Sequence, residues 1–317
     1  MTRVLLWHVH GSWTTSFVQG EHDYLLPTLP ERGPWGLGRA GRDWPDRVLE
    51  VPADRLADTE VDVVVLQRPE EFDLARKWLR REVPAVYVEH NTPKGDVPDT
   101  RHPMADRPDL PLVHVTHFNQ LMWDCGTTPT TVVEHGVVDP GPRYLGDLDR
   151  AAVVINEPVR RWRVTGTDLL PRFASVAPLD VFGMGLAGLR DRLGVAPDRL
   201  VEVGDLGTGQ LHEALARRRF YLHPLRWTSL GLSLIEAMHL GMPVVALAST
   251  EAVLAVPPEA GFLSTRVDDL ARGAAELIAD PGLARQLGKQ AREFALARYG
   301  LAAFLRHWDR LLMEVSR

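Results

Sequence analysis

Between Thr228 and Ala246 the chain is punctuated closely enough to dictate one local structure: turn, helix, stop, strand. Thr228 or Ser229 offers a hydroxyl to the first free amides of a helix. Leu232, Ile235, Met238 and Leu240 then supply an apolar helical face. Gly241 suits the left-handed position that closes a helix, and Pro243 forbids continuation. Val244-Val245-Ala246-Leu247, apolar without interruption, predicts a buried parallel strand. Small residues at Ser229 and Gly231 leave the helix start uncrowded, where free amides and the helix dipole favour an anion such as phosphate. Glu236 interrupts an otherwise apolar run and reads either as a solvated helix position or as a functional acid.

The same grammar recurs along the chain. Strands are expected over residues 4–9, 61–67 and 85–88, with a helix over 72–81 and a short helix over 118–123. Polar residues follow the strand ends: His10-Gly11-Ser12-Trp13 after the first, Glu89-His90-Asn91-Thr92-Pro93 after the third. Further strands are expected over 151–156, 179–185, 200–204 and 220–224, with helices over 211–218, 270–279, 281–299 and 301–315. Strand–helix–strand units of this kind build a doubly wound α/β sheet, in which ligands collect at the carboxyl edge. Residues 17–44 are rich in Gly, Pro and Trp without clear periodicity. They read as a substrate-facing loop, because exposed tryptophans are otherwise a liability. Pro140-Gly141-Pro142 marks a domain boundary by composition.

Composition limits the function classes. A chain of 317 residues with 45% apolar and 25% charged residues suits two globular domains. A formal charge of −6 provides no basic field for nucleic acid. The single cysteine, Cys125, excludes a disulfide within the chain and a cysteine-rich zinc site. Arg3-Val4-Leu5-Leu6-Trp7 is too short for a signal-peptide core, and no apolar run reaches the ~20 residues of a membrane helix. The expectation is a soluble, cytoplasmic protein without an integral membrane segment. Asp268-Asp269 opens a helix and reads as capping rather than as a metal motif.

Gly231, Leu232, Ile235, Glu236, Ala237, Met238, Gly241, Pro243, Val244, Val245 and Ala246 together resemble the signature of the retaining, family 4 glycosyltransferases. Other stretches support the resemblance in chain order: His135-Gly136-Val137-Val138-Asp139, Gly166 with Asp168-Leu169-Leu170, and Phe220 to Pro224. It covers residues 153–299 well and the N-terminal half in outline. It implies the GT-B fold, two Rossmann-like doubly wound domains facing across a cleft. The domains would be residues 1–145 on the acceptor side and 146–300 on the nucleotide-sugar side, with a helix over 301–317 crossing back to the first.

The resemblance also assigns roles. Glu236 inherits the acid that holds the ribose hydroxyls of a nucleotide-sugar. Thr228 falls where the family has a sugar-facing acid, and Ser229-Leu230 where it has Gly-Phe. The family's phosphate-binding lysine falls on or beside Thr165, so its work passes to Arg160, Arg161 or Arg163; the exchange is chemically sensible because arginine grips phosphate bidentately. His90 and Arg161 are the catalytic candidates. The donor-binding candidates are Glu236, Gly231, Leu232, Thr228, Ser229, Leu230, Arg160, Arg163, Thr165 and Gly166. Gly11, Ser12 and Trp13 are placed on the acceptor side. The implied activity is metal-independent transfer of a sugar from a nucleotide-diphosphate-sugar to an unidentified small-molecule or glycan acceptor, with no other cofactor. A degenerate homologue that only binds a nucleotide or partner, and a nucleotide-sugar epimerase or phosphorylase, are the alternatives. At Thr228 the lost charge predicts a donor altered at or near the 3-position, or a relaxed preference there.

Overall fold

The structure, a computed structural model, describes residues 1–316; Arg317, the last residue of the expected C-terminal helix segment, lies outside the described residues. The chain forms two compact units, one of Met1–Val138 with the chain from Tyr299 onward, the other of Asp139–Arg298.

The first unit is built on a seven-stranded parallel sheet. In chain order its strands are β1 (Arg3–Leu6), β2 (Asp23–Thr28), β3 (Val48–Pro52), β4 (Val63–Leu66), β5 (Ala85–Glu89), β6 (Leu112–His114) and β7 (Thr130–Val132). Their spatial order is β3-β2-β1-β4-β5-β6-β7, so the direction of winding reverses between β1 and β4. Val4, Leu5, Leu6 and β4 are buried throughout, as a sheet covered on both faces requires.

Two expectations for this unit are corrected. β1 ends at Leu6 rather than at residue 9, because the chain leaves the sheet at Trp7, whose indole N–H donates to the carbonyl of Trp35 (3.0 Å). Residues 17–44 are not simply a substrate-facing loop. They contain β2, which Pro27 and the flanking glycines disguise, and their tryptophans pack inward. Trp44 is buried and donates from Nε1 to Thr15 Oγ1 (3.0 Å), and Trp35 lies under the Arg68 guanidinium, 4.0 Å from its ring. The helix Leu301–Val315 belongs to this unit. It lays Phe304 and Trp308 against Trp13, with ring centroids 6.4 and 5.6 Å away.

The second unit holds a six-stranded parallel sheet in the order β10-β9-β8-β11-β12-β13. The strands are β8 (Leu148–Val154), β9 (Leu179–Phe182), β10 (Leu200–Gly204), β11 (Arg218–His223), β12 (Val244–Leu247) and β13 (Gly261–Ser264). Val153, Phe173, Val181, Phe220, Leu222, Val245 and Leu270 share one core. Winding reverses between β8 and β11, which puts the ligand crevice of this unit outside their carboxyl ends.

The central stretch folds as helix Leu232–Leu240, Gly241 at φ 91°, and strand β12. Two details differ from expectation. The cap is Gly231, not Thr228 or Ser229, and no side chain bonds to it. The helix is buried from Leu234 to Leu240 on every side, not along one face, because it packs against helix Thr208–Arg217 as well as against β11 and β12. Each unit by itself is a parallel α/β sheet of the doubly wound kind that the resemblance implies.

Candidate functional site

The chemistry-bearing residues of the second unit gather at the carboxyl ends of β8 and β11. The loop after β8 contains the short helix Pro158–Arg161 and runs to Gly166. The loop after β11 runs from Pro224 to Gly231. The two are sewn together: the amides of Arg226 and Trp227 donate to the Val164 carbonyl (2.9 and 3.3 Å), and Arg226 Nη1 donates to the Arg163 carbonyl (3.0 Å). Gly166 sits at φ 69° against the Pro224 carbonyl, where any Cβ would collide. Its role is this close approach.

The three candidate arginines are not equivalent. Arg163 is exposed and donates to Asp168 Oδ2 (3.1 Å). Asp168 is in turn gripped by both Nη atoms of Arg226 (2.5 and 2.9 Å). Arg160 is exposed and lies 3.5 Å from Glu157. Arg161 is half-buried, and no acceptor binds its guanidinium among the described residues. Burial first, and then the neighbouring charge of Arg160, pull it below the usual guanidinium range, with Glu157 acting in the opposite direction. A cation desolvated without a partner is one prepared for an anion.

Across the joined loops, the uncapped helix at Gly231 has first-turn amides without intrahelical acceptors. Gly231 is needed there because a side chain would meet His223 Cε1 at 2.9 Å. One turn on, Glu236 is not a solvated helix position. It is only 8% exposed, and its Oε2 lies 3.5 Å from Nε2 of His212, itself 7% exposed on the adjoining helix. Ser229 and Leu230 are buried, whereas Thr228, Gly231 and Leu232 remain partly exposed. Thr165 is corrected from a donor contact to an internal one. It is buried, and its hydroxyl is shared between the Trp162 carbonyl (3.3 Å) and Thr167 Oγ1 (2.8 Å), so no hydrogen is left for a phosphate.

In the first unit His90 directly follows β5 and lies against His10, four residues beyond β1, with ring centroids 4.0 Å apart and the planes tilted by 32°. Trp13 stands edge-on to His90 at 5.1 Å. Its placement as an acceptor contact is corrected: Trp13 is fully buried, stacked on Phe17 and walled in by Phe304 and Trp308. Gly11 and Ser12, ahead of it in helix Gly11–Phe17, keep some exposure at the carboxyl edge of β1. His135 completes the group. His90 Nε2 and His135 Nδ1 are buried without a hydrogen-bond partner among the described residues.

Burial dominates the protonation of these rings. It takes His10 down to about 4, against the Glu89 charge and with that of Arg68. It takes His135 to about 3, aided by His10, and drives His90 down with help from both neighbours. His223 falls to about 4 by burial alone. All four are neutral at pH 7. The unfolded chain binds protons on them from 6.5 downward, while the folded chain does so only near the lowered values. Their stabilising share is therefore complete above 6.5 and is lost as pH falls toward 4. Urea midpoints are expected to drop steadily from pH 7 to about 4.5. A midpoint that stays level across that range would contradict buried, neutral imidazoles.

Sequence reasoning missed His212, Arg226 and His10. His212 directly follows Leu211, the residue used to place its helix, and Arg226 lies two residues before Thr228. Among the described residues, no group of three His, Cys, Asp or Glu side chains is placed to hold a metal, and no helix is long and apolar enough to cross a membrane.

Comparisons with known proteins bear on the fold and on one segment of the second unit. Residues 197–294 match the family model for Glycosyl transferases group 1. No curated protein matches the chain by sequence. Among solved structures, sucrose-phosphate synthase from Thermosynechococcus elongatus superposes with a TM-score of 0.70 at 14% identity, covering 99% of both chains. The Anabaena protein HepE in complex with UDP gives 0.72 at 15% identity, covering 99% of this chain and 100% of its own. HepE with UDP-glucose gives 0.70 at 16% identity, with the same coverage. Residues 197–294 thus resemble the group 1 glycosyltransferases, and the chain shares the fold of these solved structures.

Proposed function

We propose that the protein moves a sugar from a nucleoside-diphosphate-sugar to an acceptor hydroxyl with retention of anomeric configuration and without a metal. The observation that carries this reading is the half-buried, unpartnered Arg161 in the loop that is hydrogen-bonded to the one leading into the uncapped helix start at Gly231. Together they offer a diphosphate one cation and a set of free amides at the switch point of the second unit's sheet.

The residues divide the work. Glu236, with the His212 imidazole 3.5 Å away, accepts hydrogen bonds from the ribose hydroxyls. The amides of Leu232 and Ser233 and the Arg161 guanidinium hold the phosphates. As the bond from the anomeric carbon to the diphosphate breaks, its electron pair stays on the phosphate oxygen. Charge grows there, and donors already aimed at it lower the barrier. The acceptor oxygen bonds the same face of the sugar, and its proton leaves with the diphosphate. His90, neutral and buried, packs on the acceptor side. Thr228 presents a hydroxyl where a carboxylate would be charged, and supports a donor altered near the 3-position.

The test is a thermal-shift panel of UDP, GDP, ADP and dTDP with EDTA present, followed by turnover of the matching sugar donors. UDP leads because HepE is described with UDP and UDP-glucose. At a hundredfold excess over Kd the favoured nucleotide should add about 2.7 kcal/mol of stability. The absence of stabilisation by all four would defeat the reading.

A further inference from the structure

Ser233 follows Leu232 in the first turn of helix Leu232–Leu240 and is not one of the signature residues. Its Oγ lies 2.8 Å from Oη of Tyr221 on β11, a distance that leaves open which oxygen donates. Burial decides it. Tyr221 has 0% exposure, and Ser233 Oγ is the acceptor that its phenol meets among the described residues. A serine donating into the phenol would strand the phenolic hydrogen in the core, with no acceptor. Tyr221 also keeps that hydrogen, because burial, joined by the nearby charge of Glu236, pushes the phenol up. Tyr221 therefore donates and Ser233 accepts.

Two consequences meet at the helix start. The amides there stay open: a serine in a first turn can bend its oxygen back to its own helix, but Tyr221 holds this one off, and no side chain caps the helix. The hydrogen of Ser233 itself has no acceptor on the protein among the described residues, and the residue is part-exposed. Its Oγ lies 3.8 Å from the point that a Gly231 Cβ would occupy, which sets the hydroxyl beside the free amides. His223, 2% exposed, adds a second unanswered group: its Nδ1 is buried without a partner among the described residues, 3.7 Å from the same point. Free amides, the helix dipole and an unspent O–H converge, and what they jointly select is an anion with several acceptor oxygens.

We propose that the Ser233 hydroxyl donates to the diphosphate and that Tyr221 is its positioning residue. The phenol fixes the hydroxyl outward and keeps the amides uncapped. The inference rests on the transferase reading for its ligand, a nucleoside diphosphate, and adds two residues that the resemblance does not assign.

The test titrates UDP, or whichever of the four diphosphates stabilises the full chain most, into the wild type, Ser233→Ala, Tyr221→Phe and the double variant. Ser233→Ala should weaken binding about tenfold, the worth of one hydrogen bond to a charged acceptor. Tyr221→Phe conserves the ring and its packing but frees Ser233 to cap its own helix, so binding should fall about fivefold. On the Ser233→Ala background the same change should weaken binding less than twofold, because the phenol acts only through the serine. A phenol with a merely structural role would multiply the two losses. Preference for the ribonucleotide over its 2′-deoxy analogue should survive in all three variants, whereas a helix loosened around Glu236 would lose it. Unchanged affinity in Ser233→Ala, losses that multiply in the double variant, or a lost ribose preference overturns the inference and leaves the transferase reading standing. A wild type that binds none of the four diphosphates removes both.

Discussion

Arg161→Ala is expected to slow transfer about 100- to 1,000-fold, with the loss concentrated in kcat. The magnitude is that of removing one preorganised donor from a developing oxyanion, because growth of negative charge on the leaving diphosphate is what Arg161 answers. The guanidinium is half-buried and has no carboxylate to release, so its removal leaves no orphaned anion behind and the fold should hold. Arg163→Ala is the control. Asp168 stays bound by both Nη atoms of Arg226, so Arg163 contributes little more than an exposed pair, about 0.2–1 kcal/mol. Steady-state kinetics on the two variants checks the assignment. Intact turnover in Arg161→Ala, with collapse in Arg163→Ala, would show that the loop was assigned in reverse.

Glu236→Gln should weaken nucleoside diphosphate binding roughly 10- to 150-fold, equivalent to about 1.5–3 kcal/mol for hydrogen bonds to a charged group. The amide preserves volume, and helix Leu232–Leu240 is fixed by apolar contacts on all sides, so unfolding is not the expected cause. The effect should be specific to the sugar of the nucleotide. The wild type should prefer a ribonucleotide to its 2′-deoxy analogue, and the variant should lose that preference. His212→Leu should lose part of it, since Oε2 of Glu236 would no longer have the imidazole 3.5 Å away. Calorimetric titration of both nucleotides into each protein reads this directly. Equal affinity in wild type and Glu236→Gln would detach the ribose role from this residue.

Much of this site was legible because the residues that build it also punctuate the chain. Gly241 and Pro243 stop the helix whether or not a nucleotide binds, and the apolar run over β12 announces a covered strand. What could not be read depends on partners distant in sequence. Arg160, Arg161 and Arg163 are equivalent on paper. In the folded loop Arg163 meets Asp168, which Arg226 holds from 58 residues away, and Arg160 lies against Glu157, whereas Arg161 meets no carboxylate. Trp13 shows the opposite failure. Next to Gly11-Ser12 it resembles a surface platform, but helix Leu301–Val315 returns to the first unit and buries it. β2 escaped notice because Pro27 and its glycine-rich flanks carry loop chemistry inside a strand whose neighbours β1 and β3 hold it in register. The pairing of His102 with Glu89 is likewise invisible in one dimension, since neither residue type nor the 13-residue separation has a local signature.

The stereochemistry of the transferred bond tests the central claim most directly. With an α-configured nucleotide-sugar that the enzyme turns over and a glycoside acceptor, proton NMR of the product before any mutarotation gives the anomeric configuration. The proposed retaining, metal-independent transfer predicts an α-linked product, formed at the same rate with and without EDTA. A β-linked product would contradict retention at the site built around Arg161 and Glu236, and failure to turn over any nucleotide-sugar that binds would contradict transfer itself.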